Sequence, residues 1–387
     1  MQTHCVVVGG GPAGMMLGFL LSRAGVQVLV LEKHADFLRD FRGDTIHPST
    51  LELMHELNLL EEFLQQPHQK LAQLCGVING HTVPIADFSR LPTRCKFIAF
   101  MPQWDFLNFI SSRAKRFPSF ELRMEHEVTD LVIENNRVAG VRAKTPDGEL
   151  EVLANLVFGT DGRSSTVRER AGFEVREFGV PIDVLWMRIS KHEEDPQQGL
   201  GFFQHGKLLV LLDRGDYWQC GYVIPKGASD LIKARGLSRF HAELVNMADF
   251  LRGRVAELDD WSKIRLLTVQ INRLRKWYRE GLLCIGDAAH AMSPAGGANL
   301  LAEELRQGPV SIVDLQKVQR RREWPAALIQ RMQAFIHRHV VTGRETSSKS
   351  SLPFVARLLK SFPVLRQLPA RFIGIGPRPE HVRSPMA

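Results

Sequence analysis

Three glycines near the N-terminus have the spacing with which proteins bind the phosphates of a dinucleotide. Gly9, Gly11 and Gly14 form a G-x-G-x-x-G sequence, and the acid Glu32 follows about 20 residues further on. In such a turn the first glycine permits a tight bend, the second lets a pyrophosphate approach the backbone, and the third lets helix and strand pack closely. The acid can accept a hydrogen bond from a ribose hydroxyl. These residues predict a dinucleotide site, and FAD and NAD(P) both remain candidates.

The flanking residues predict the strand–turn–helix unit that this chemistry requires. Residues 5–8 and 26–31 are short apolar runs that are typical of buried parallel strands. Between them, Leu17 and Leu21 lie on one side of a predicted helix, with Gly25 at its C-cap. The N-terminus of such a helix offers unpaired N–H groups and a positive dipole end to phosphates. The alternative is an ordinary βαβ unit with a glycine-rich turn.

Length and composition are those of an ordinary globular protein. The chain has 387 residues, of which 44% are hydrophobic and 24% charged, as in typical soluble domains. This length predicts about two to three domains. No apolar run reaches about 18 residues without a charge, so we expect no membrane span and no stable membrane insertion. Because the chain enters a predicted strand almost at once, we also expect no signal peptide.

The charge balance is basic, with a formal net charge of +8 at pH 7 and an isoelectric point of about 9.4. Basic proteins can bind nucleic acid, membrane surfaces or anionic small molecules. The cations are dispersed, apart from a cluster at 320–322 that acids flank, and we interpret that cluster as a solvated helix face. A dinucleotide and an anionic reductant account for the charge more simply than nucleic acid does, so we expect no nucleic-acid partner.

Cysteine spacing bears on metals and on the cellular compartment. The five cysteines, Cys5, Cys75, Cys95, Cys220 and Cys284, include no C-x-x-C pair. This spacing argues against a zinc site and a disulfide framework, and for a reducing compartment. We therefore expect a cytoplasmic protein without a bound metal.

Predicted helices and strands alternate in blocks along the chain. Helical periodicity covers residues 48–64, 101–117 and 238–251 and almost everything beyond residue 300, up to a proline-broken tail at 353–387. Strand signals cover 71–100, 128–134, 137–143, 150–158, 184–189, 208–212, 217–224, 266–271 and 282–285. Ser49 and Glu52 form a potential capping box for the first helix, and Asn135–Asn136 a tight turn. A composition that changes from α/β to β and back indicates discontinuous domains.

Two further motifs, in order along the chain, complete a family resemblance. One reads Gly159-Thr-Asp161-Gly162-Arg-Ser-Ser165-Thr-Val-Arg168, and the other reads Gly286-Asp287-Ala-Ala-His290-Ala-Met-Ser-Pro294. With the glycine turn and Glu32, they resemble the single-component FAD-dependent aromatic hydroxylases, which are flavoprotein monooxygenases with the p-hydroxybenzoate hydroxylase fold. The likeness extends over residues 3–299, approximately.

The resemblance implies an α/β fold with a Rossmann-like FAD-binding domain, an inserted β-sheet substrate domain and a helical C-terminal region. The FAD-binding domain would be discontinuous, over residues 1–75, 98–180 and 270–345. The substrate domain would take residues 76–97 and 181–269, and the C-terminal helical tail residues 346–387.

The resemblance also assigns cofactor-binding roles. In that family the first motif holds the ADP half of FAD, and the middle motif supports the pyrophosphate region and has been linked to the nicotinamide cofactor. The third motif places an aspartate on the ribityl–phosphate part and a proline beside the isoalloxazine. Carried over to this chain, the cofactor-binding residues are Gly9, Gly11, Pro12, Ala13, Gly14, Glu32, Lys33, Arg42, Gln103, Val128, Asp161, Gly286, Asp287, Pro294 and Gly297.

Several of these residues have an alternative role. Asp287 could cap a helix, and Asp161 could cap a helix or pair with Arg163 or Arg168. Arg42 and Gln103 could be surface residues. We interpret His290 of the third motif as structural rather than as a base.

The reaction follows from the same resemblance. NADH or NADPH would reduce FAD, the reduced flavin would take up O₂, and a flavin C4a-hydroperoxide would deliver one oxygen atom to an electron-rich, phenol-like ring. The protein would position the substrate, exclude water and deprotonate the phenol. The expected partners are a small aromatic substrate and O₂, and the expected state is a monomer or a homodimer.

Candidate substrate residues lie on two predicted strands. Period 2 places Val184, Trp186 and Arg188 on one face of the first strand. On the second strand it separates Trp218, Cys220, Tyr222 and Ile224 from Tyr217, Gln219 and Gly221, without indicating which face meets the flavin. Catalytic residues stay unassigned: the flavin-side candidates are Arg42 and Pro294, and the pocket candidates are Arg188, Tyr217 and Tyr222. Arg188 or Arg94 could hold a substrate carboxylate, with an ion-paired or surface arginine as the alternative for each and core packing for the aromatic residues.

The chain departs from the family after Gly297. A glycine-rich turn and the start of a helix that embraces the flavin are missing there, and Ala298 and Asn299 follow at once. We predict that Gly297 and Ala298 are not true neighbours and that the residues of this missing turn and helix start belong between them. A genuine deletion would favour an FAD-binding oxidoreductase without hydroxylase activity, or a non-enzymatic flavin-binding remnant. A related halogenase is discounted, because its Trp-x-Trp-x-Ile-Pro signature is replaced by the sequence 220–225, Cys-Gly-Tyr-Val-Ile-Pro.

Overall fold

The strands and helices lie in the parts of the chain that the computed structural model describes, residues 1–38, 45–196, 200–204, 206–290, 295–341 and 354–384. The strands are β1 (Gln2–Val8), β2 (Val28–Leu31), β3 (Thr45–Ile46), β4 (Gln69–Leu71), β5 (Gln73–Ile78), β6 (His81–Asp87), β7 (Ile98–Phe100), β8 (Phe120–Arg123), β9 (Glu127–Glu134), β10 (Arg137–Thr145), β11 (Gly148–Gly159), β12 (Val175–Glu177), β13 (Ile182–Ser190), β14 (Leu200–Gln204), β15 (Lys207–Asp213), β16 (Tyr217–Pro225), β17 (Arg265–Thr268), β18 (Asn272–Leu274), β19 (Tyr278–Arg279) and β20 (Leu282–Cys284). The α-helices are α1 (Pro12–Arg23), α2 (Pro48–Glu56), α3 (Leu60–Phe63), α4 (Gln103–Ala114), α5 (Thr166–Arg170), α6 (Ser229–Ala234), α7 (Leu237–Met247), α8 (Ala295–Gln307), α9 (Ile312–Val341), α10 (Phe354–Ser361) and α11 (Gln367–Gly374).

The glycine motif lies at the centre of an eight-stranded sheet. Its strands run in the order β19-β20-β11-β1-β2-β8, and β10 and β9 continue from β11. β1 is parallel to β2 and to β11, so the loops that follow all three strands open at one edge. All of β2 is buried, as expected where helices cover both faces of a parallel sheet. Gly25 has a φ of +78° just beyond α1, which confirms the predicted C-cap.

A second sheet of seven strands has the order β17-β13-β16-β15-β14-β5-β6. It combines the β5–β6 hairpin with strands from a later part of the chain, and β14, which the sequence did not predict, joins them by pairing in parallel with β5. The predicted α/β class with an inserted β-sheet is therefore confirmed. β5 begins at Gln73 and so crosses the expected domain boundary at residue 75.

The two faces of this second sheet differ in burial. Trp218, Cys220, Tyr222 and Ile224 are buried together with Phe240 and Leu244 of α7. On the opposite face, Gln219, Gly221 and Val223 of β16 are buried, and Val184 and Leu208 pack against Val180 and Ile271. Three further residues of this face are half-buried, namely Trp186, Val210 and Leu212. We call this second side the open face. The strand register places Trp186 opposite Gly221, Gly221 opposite Val210, and Arg188 opposite Gln219, so these residues share the open face.

Two predictions about local structure are wrong. The helix expected over 48–64 is two helices, because Asn58 takes a left-handed φ of +57° between them. The predicted capping box does not form: α2 begins after His47 with Pro48 at its first position, and the Glu52 carboxylate instead accepts from the backbone N–H of Arg94 at 2.8 Å. The predicted turn at Asn135–Asn136 is confirmed, since both residues have positive φ between β9 and β10.

In the structure, α8 runs from Ala295 to Gln307 and includes Gly297 and Ala298. The predicted absence of residues between these two positions stays a prediction.

Residues 354–384, the C-terminal segment, are fastened to both sheets. α10 and α11 pack against β6, and Ala370 is fully buried beside Phe88 and Leu91. Glu380 accepts from the guanidinium groups of Arg321 at 2.8 Å and Arg322 at 2.9 Å on α9. Among the described residues, no helix is long and apolar enough to cross a membrane.

Candidate functional site

The glycine turn after β1 combines a tight backbone with one open position. Gly9 has a φ of +101°, and its N–H donates to the carbonyl of Leu31 at 2.8 Å. A Cβ on Gly14 would lie 2.0 Å from the Gly9 carbonyl oxygen, so α1 packs directly on the turn. A Cβ on Gly11 would meet nothing within 4 Å, and α1 begins there without a side-chain cap. The helix N-terminus beside Gly11 is thus open to an anion.

The other two motifs lie against this turn. A Cβ on Gly9 would lie 2.8 Å from the Cα of Asp161, and one on Gly286 would lie 2.7 Å from the Cβ of Ala13. The Thr160 hydroxyl lies 2.8 Å from the Gly9 carbonyl oxygen. Three motifs that are far apart in sequence therefore meet at the N-terminus of α1.

Glu32 lies beside the turn at the end of β2 and is 8% exposed. Its carboxylate accepts from the N–H of Gly10 at 2.7 Å and from the N–H of His34 at 3.1 Å. Its carbonyl accepts from the N–H of His126 at 2.9 Å. That bond brings the start of β9, and with it the buried Val128, next to Glu32. Two of the predicted cofactor-binding residues, Glu32 and Val128, are thus brought to the same side of the turn.

Asp161 caps a helix, which was one of its two alternative roles. Its carboxylate accepts from the Ser165 hydroxyl at 2.5 Å and from the N–H of Val167 at 3.0 Å. Burial raises the pKa of this carboxyl, and these hydrogen bonds oppose the rise. Among the described residues Asp161 forms no ion pair with Arg163 or Arg168, and the Arg168 guanidinium instead donates to backbone carbonyls. The backbone of Asp161 borders the glycine turn, and its contact with the cofactor stays a prediction.

Asp287, unlike Asp161, does not cap a helix. It is exposed, in a short 3₁₀ turn over Gly286–Ala288 that has no side-chain cap. The N–H groups of Ala289 and His290 are taken by the carbonyl of Gly286. No described residue donates a hydrogen bond to the Asp287 carboxylate, so the helix-cap alternative is wrong and the carboxylate is available to a ligand.

The remaining predicted cofactor residues are spread around this centre. Pro12 and Ala13 begin α1, Lys33 is exposed directly after Glu32, and Gln103 is the half-buried first residue of α4. Gly297 lies in α8, and Arg42 and Pro294 lie outside the described residues. His290 is 2% exposed and its ring lies 4.2 Å from that of Trp277, which agrees with a structural role.

Tyr222 does not belong to the pocket that its sequence position suggested. It is 3% exposed on the face that α7 covers, where its hydroxyl donates to Glu243 at 2.8 Å and its ring meets Phe240 edge-on. Burial, followed by the hydrogen bond to Glu243, raises the pKa of the Tyr222 phenol far above its usual range. Tyr222 is therefore a core residue, as the packing alternative held.

The open face carries the better candidate. The indole Nε1 of Trp186 is buried and has no hydrogen-bond partner among the described residues. A buried donor without a partner lowers stability by about 1–3 kcal/mol, so a ligand that accepts a hydrogen bond from it would bind favourably there. The second motif adjoins one edge of this sheet, since Arg163 donates to the Thr268 carbonyl of β17.

Arg188 and Tyr217 lie together, but at the surface. The Arg188 guanidinium lies 3.8 Å from the Tyr217 ring centroid and pairs with Asp216 at 3.2 Å. Both line an open cavity of about 620 Å³ with Glu257, Lys263 and Arg265. Because Asp216 already neutralises Arg188, this arginine is poorly suited to hold a substrate carboxylate. Arg94 is exposed next to α2, away from this cavity.

The sequence analysis did not predict the positioning roles of Thr160 and Arg168. Thr160 holds the glycine turn through its hydroxyl. Arg168 donates to the carbonyls of Arg163 at 2.5 Å and Ala288 at 3.4 Å, and so links the second motif to the third. Both lie within the quoted second motif, whose polar residues were the only sequence signal.

The described residues fit FAD. The open space at Gly11 and the uncapped start of α1 suit a pyrophosphate. Asp287, an exposed carboxylate to which no residue in the described part of the chain donates, lies on the loop whose Gly286 touches α1 at Ala13. A dinucleotide with a second polar half can therefore bind along the edge where β1, β2 and β11 end.

Comparison with known sequences agrees with this site. The profile of the family described as FAD binding domain matches residues 2–300. The 6-methylpretetramide 4-monooxygenase of Streptomyces rimosus is 30% identical over 404 residues, covering 99% of this chain and 94% of the relative. The para-nitrophenol 4-monooxygenase of Pseudomonas sp. (strain WBC-3) is 25% identical over 327 residues, covering 80% of this chain and 78% of the relative.

A solved structure shares the fold. The crystal structure described as pqsL, a probable FAD-dependent monooxygenase from Pseudomonas aeruginosa, superposes with a TM-score of 0.73 at 18% identity, over 88% of this chain and 97% of that one. The family match spans more than half of the chain and all three motifs. The chain therefore belongs to the FAD binding domain family and is a flavoprotein monooxygenase with the p-hydroxybenzoate hydroxylase fold, as the three motifs predicted.

Proposed function

We propose that this protein uses NADH or NADPH and O₂ to hydroxylate a phenol-like aromatic compound. When bound, FAD accepts a hydride from the nicotinamide and activates O₂ for transfer of one oxygen atom to the ring. The observation that carries the proposal is the meeting of the three motifs at the open N-terminus of α1, next to the half-buried open face of a second sheet.

The residues of the turn bind and orient FAD. The backbone around Gly11 holds the pyrophosphate, and Glu32, buried at the end of β2, lies where the ribose of the ADP half would bind. Asp287 holds the ribityl hydroxyls through an oxygen that no described residue uses. Thr160 and Arg168 keep the three loops in register through their bonds to backbone carbonyls.

The open face binds the aromatic substrate. Val184, Val210 and Leu208 supply apolar surface that excludes water. The Trp186 indole N–H donates to an oxygen of the substrate, because it has no described partner within the protein. Such a donor stabilises a phenolate oxygen and thereby favours the electron-rich form of the ring.

The first experiment is an absorption spectrum of the purified protein, before and after reconstitution with FAD. We expect a bound flavin, and NAD(P)H oxidation that increases when phenolic compounds are added. A flavin that oxidises NAD(P)H without forming any hydroxylated product would favour an oxidoreductase without hydroxylase activity. A colourless protein that FAD cannot reconstitute would identify a remnant and contradict the proposal.

The second experiment compares a tryptophan variant and a tyrosine variant whose side chains lie on opposite faces of one sheet. Trp186→Phe removes the unpaired donor, and we expect the KM for a phenolic substrate to rise roughly two- to tenfold, as the loss of one hydrogen bond predicts. Tyr222→Phe removes a hydroxyl from the packed face, and we expect an unchanged KM. Equal effects of both variants on KM would contradict a substrate site on the open face.

A further inference from the structure

The outer side of the C-terminal segment exposes large apolar side chains. The exposed fraction is 74% for Phe354, 64% for Val355, 56% for Phe362, 64% for Val364 and 69% for Leu368. α10, α11 and the 3₁₀ turn between them all pack against β6, so these exposed side chains lie away from the protein. Soluble monomers rarely expose apolar residues in such a group unless they form an interaction site.

The fold does not require this apolar surface. Other residues of the segment make its inward contacts: Ala356 is 4% exposed and Ala370 is fully buried, and Ile373 and Ile375 pack against the cluster that contains Leu91. Because these residues make the inward contacts, the exposed apolar side chains contribute little to stability.

Charge indicates what this surface meets. Residues 354–379 contain no acid, and Arg357, Lys360 and Arg371 are exposed among the apolar side chains. Arg366 is used within the segment, since its guanidinium donates to the carbonyls of Leu359 at 2.8 Å and Lys360 at 2.9 Å. Apolar side chains interspersed with cations and without acids match the boundary of an anionic membrane, where apolar groups enter between the headgroups and cations meet lipid phosphates.

We propose that the outer side of the C-terminal segment binds the surface of an anionic phospholipid bilayer. Ion pairs and a hydrogen bond attach the segment to the rest of the protein. Glu380 pairs with Arg321 and Arg322, and the backbone N–H of Val382 donates to Glu56 at 2.6 Å. Binding is peripheral, and it does not depend on the proposed hydroxylase reaction.

Flotation of the full-length protein with vesicles tests this proposal. We expect the protein to float with vesicles of phosphatidylcholine and phosphatidylglycerol, and much less with vesicles of phosphatidylcholine alone or at high salt, which screens the cations. The variant Phe354→Ser/Phe362→Ser/Leu368→Ser should bind the anionic vesicles at least about tenfold more weakly, from the lost apolar burial. Lys360→Glu/Arg371→Glu should lose the preference for anionic lipid.

Control variants carry comparable changes at exposed positions outside the C-terminal segment. Leu231 and Val313 are each 57% exposed, and Leu231→Ser/Val313→Ser should leave binding unchanged, as should Lys96→Glu/Lys233→Glu. Absence of binding to anionic vesicles by the folded wild-type protein would overturn the proposal. So would a serine variant that binds vesicles normally but converts a dimer into a monomer in light scattering, because the surface would then meet a second copy of the chain.

Discussion

At the residue scale, Gly11 and Gly14 differ in what a side chain would meet. A Cβ at Gly11 enters open space, and its φ of −70° suits any residue. Gly11→Val should therefore fold normally but lose FAD binding, because the branched side chain occupies the place of the pyrophosphate. Fluorescence titration with FAD and thermal unfolding measure the two effects. Gly179→Val, at another open position, is the control, and a Gly11→Val protein with wild-type FAD affinity would refute the site.

Asp287 gives a second prediction at this scale. Its carboxylate has no described donor, so we expect it to form a charge-assisted hydrogen bond with FAD, and such a bond is worth about 1.5–3 kcal/mol. Asp287→Ala should weaken FAD binding about ten- to hundredfold while the melting temperature of the FAD-free protein changes little. Asp161→Ala should behave in the reverse way, because that carboxylate caps α5. If both variants lower only the melting temperature, Asp287 has no part in FAD binding.

These two aspartates also mark the limit of what the sequence could predict at this scale. Each follows a strand and precedes a short helical run, so each could be a cap or a cofactor contact. The difference depends on where the following N–H groups point. Val167 N–H reaches Asp161, whereas the N–H groups after Asp287 are taken by the carbonyl of Gly286. Such geometry depends on the fold and not on the local residue pattern.

At the scale of elements, a buried ion pair connects the loop that follows β13 with the segment that follows α7. Asp195 is 6% exposed and Arg254 is 8% exposed. They form two hydrogen bonds of 2.6 and 2.8 Å, and the Trp218 indole donates to Asp195 at 2.8 Å. Asp195→Asn leaves Arg254 charged and buried, so we expect the free energy of unfolding to fall by about 3–5 kcal/mol. Asp249→Asn breaks an exposed pair and should cost at most about 1 kcal/mol.

The same pair predicts a pH dependence. Burial would raise the pKa of Asp195, but the hydrogen bonds from Arg254 and Trp218 outweigh it and lower the pKa from 3.8 to about 2. A lowered pKa in the folded state stabilises the protein above the unfolded value, and this contribution is lost as the pH falls from about 4 towards 2. Urea unfolding should therefore show that the difference in the free energy of unfolding between wild type and Asp195→Asn decreases as the pH falls over that interval. A difference in the free energy of unfolding that does not change with pH would contradict the ionised pair.

Elements were predictable where their signal was local. β1, α1 and β2 followed from apolar runs, helical spacing and glycines, because both faces of those strands are buried. β14 was missed because it is a short strand that gains its place from pairing with β5, far away in sequence. Which face of β16 is packed depended on where α7 lies, and period 2 alone cannot supply that.

At the scale of the whole molecule, the C-terminal segment links the two sheets through α9 and β6. Burial would raise the pKa of Glu380, but the hydrogen bonds and charges of Arg321 and Arg322 lower it. Glu380→Gln leaves the buried Arg322 without its counter-charge, so we expect a loss of about 3–5 kcal/mol and earlier proteolytic cleavage of the C-terminal segment. Glu174→Gln, which breaks an exposed pair with Arg275, should change neither. Equal protease resistance of both variants would show that the ion pair does not anchor the segment.

The central claim concerns the reaction itself, and isotopically labelled O₂ tests it most directly. The FAD-loaded protein is incubated with NADPH, or NADH, and a phenolic substrate under labelled O₂, and the products are analysed by mass spectrometry. The account predicts that one labelled oxygen atom appears on the aromatic ring, that Gly11→Val abolishes this product, and that Tyr222→Phe retains it. Consumption of NAD(P)H with label only in hydrogen peroxide, across a broad panel of phenols, would contradict a hydroxylase.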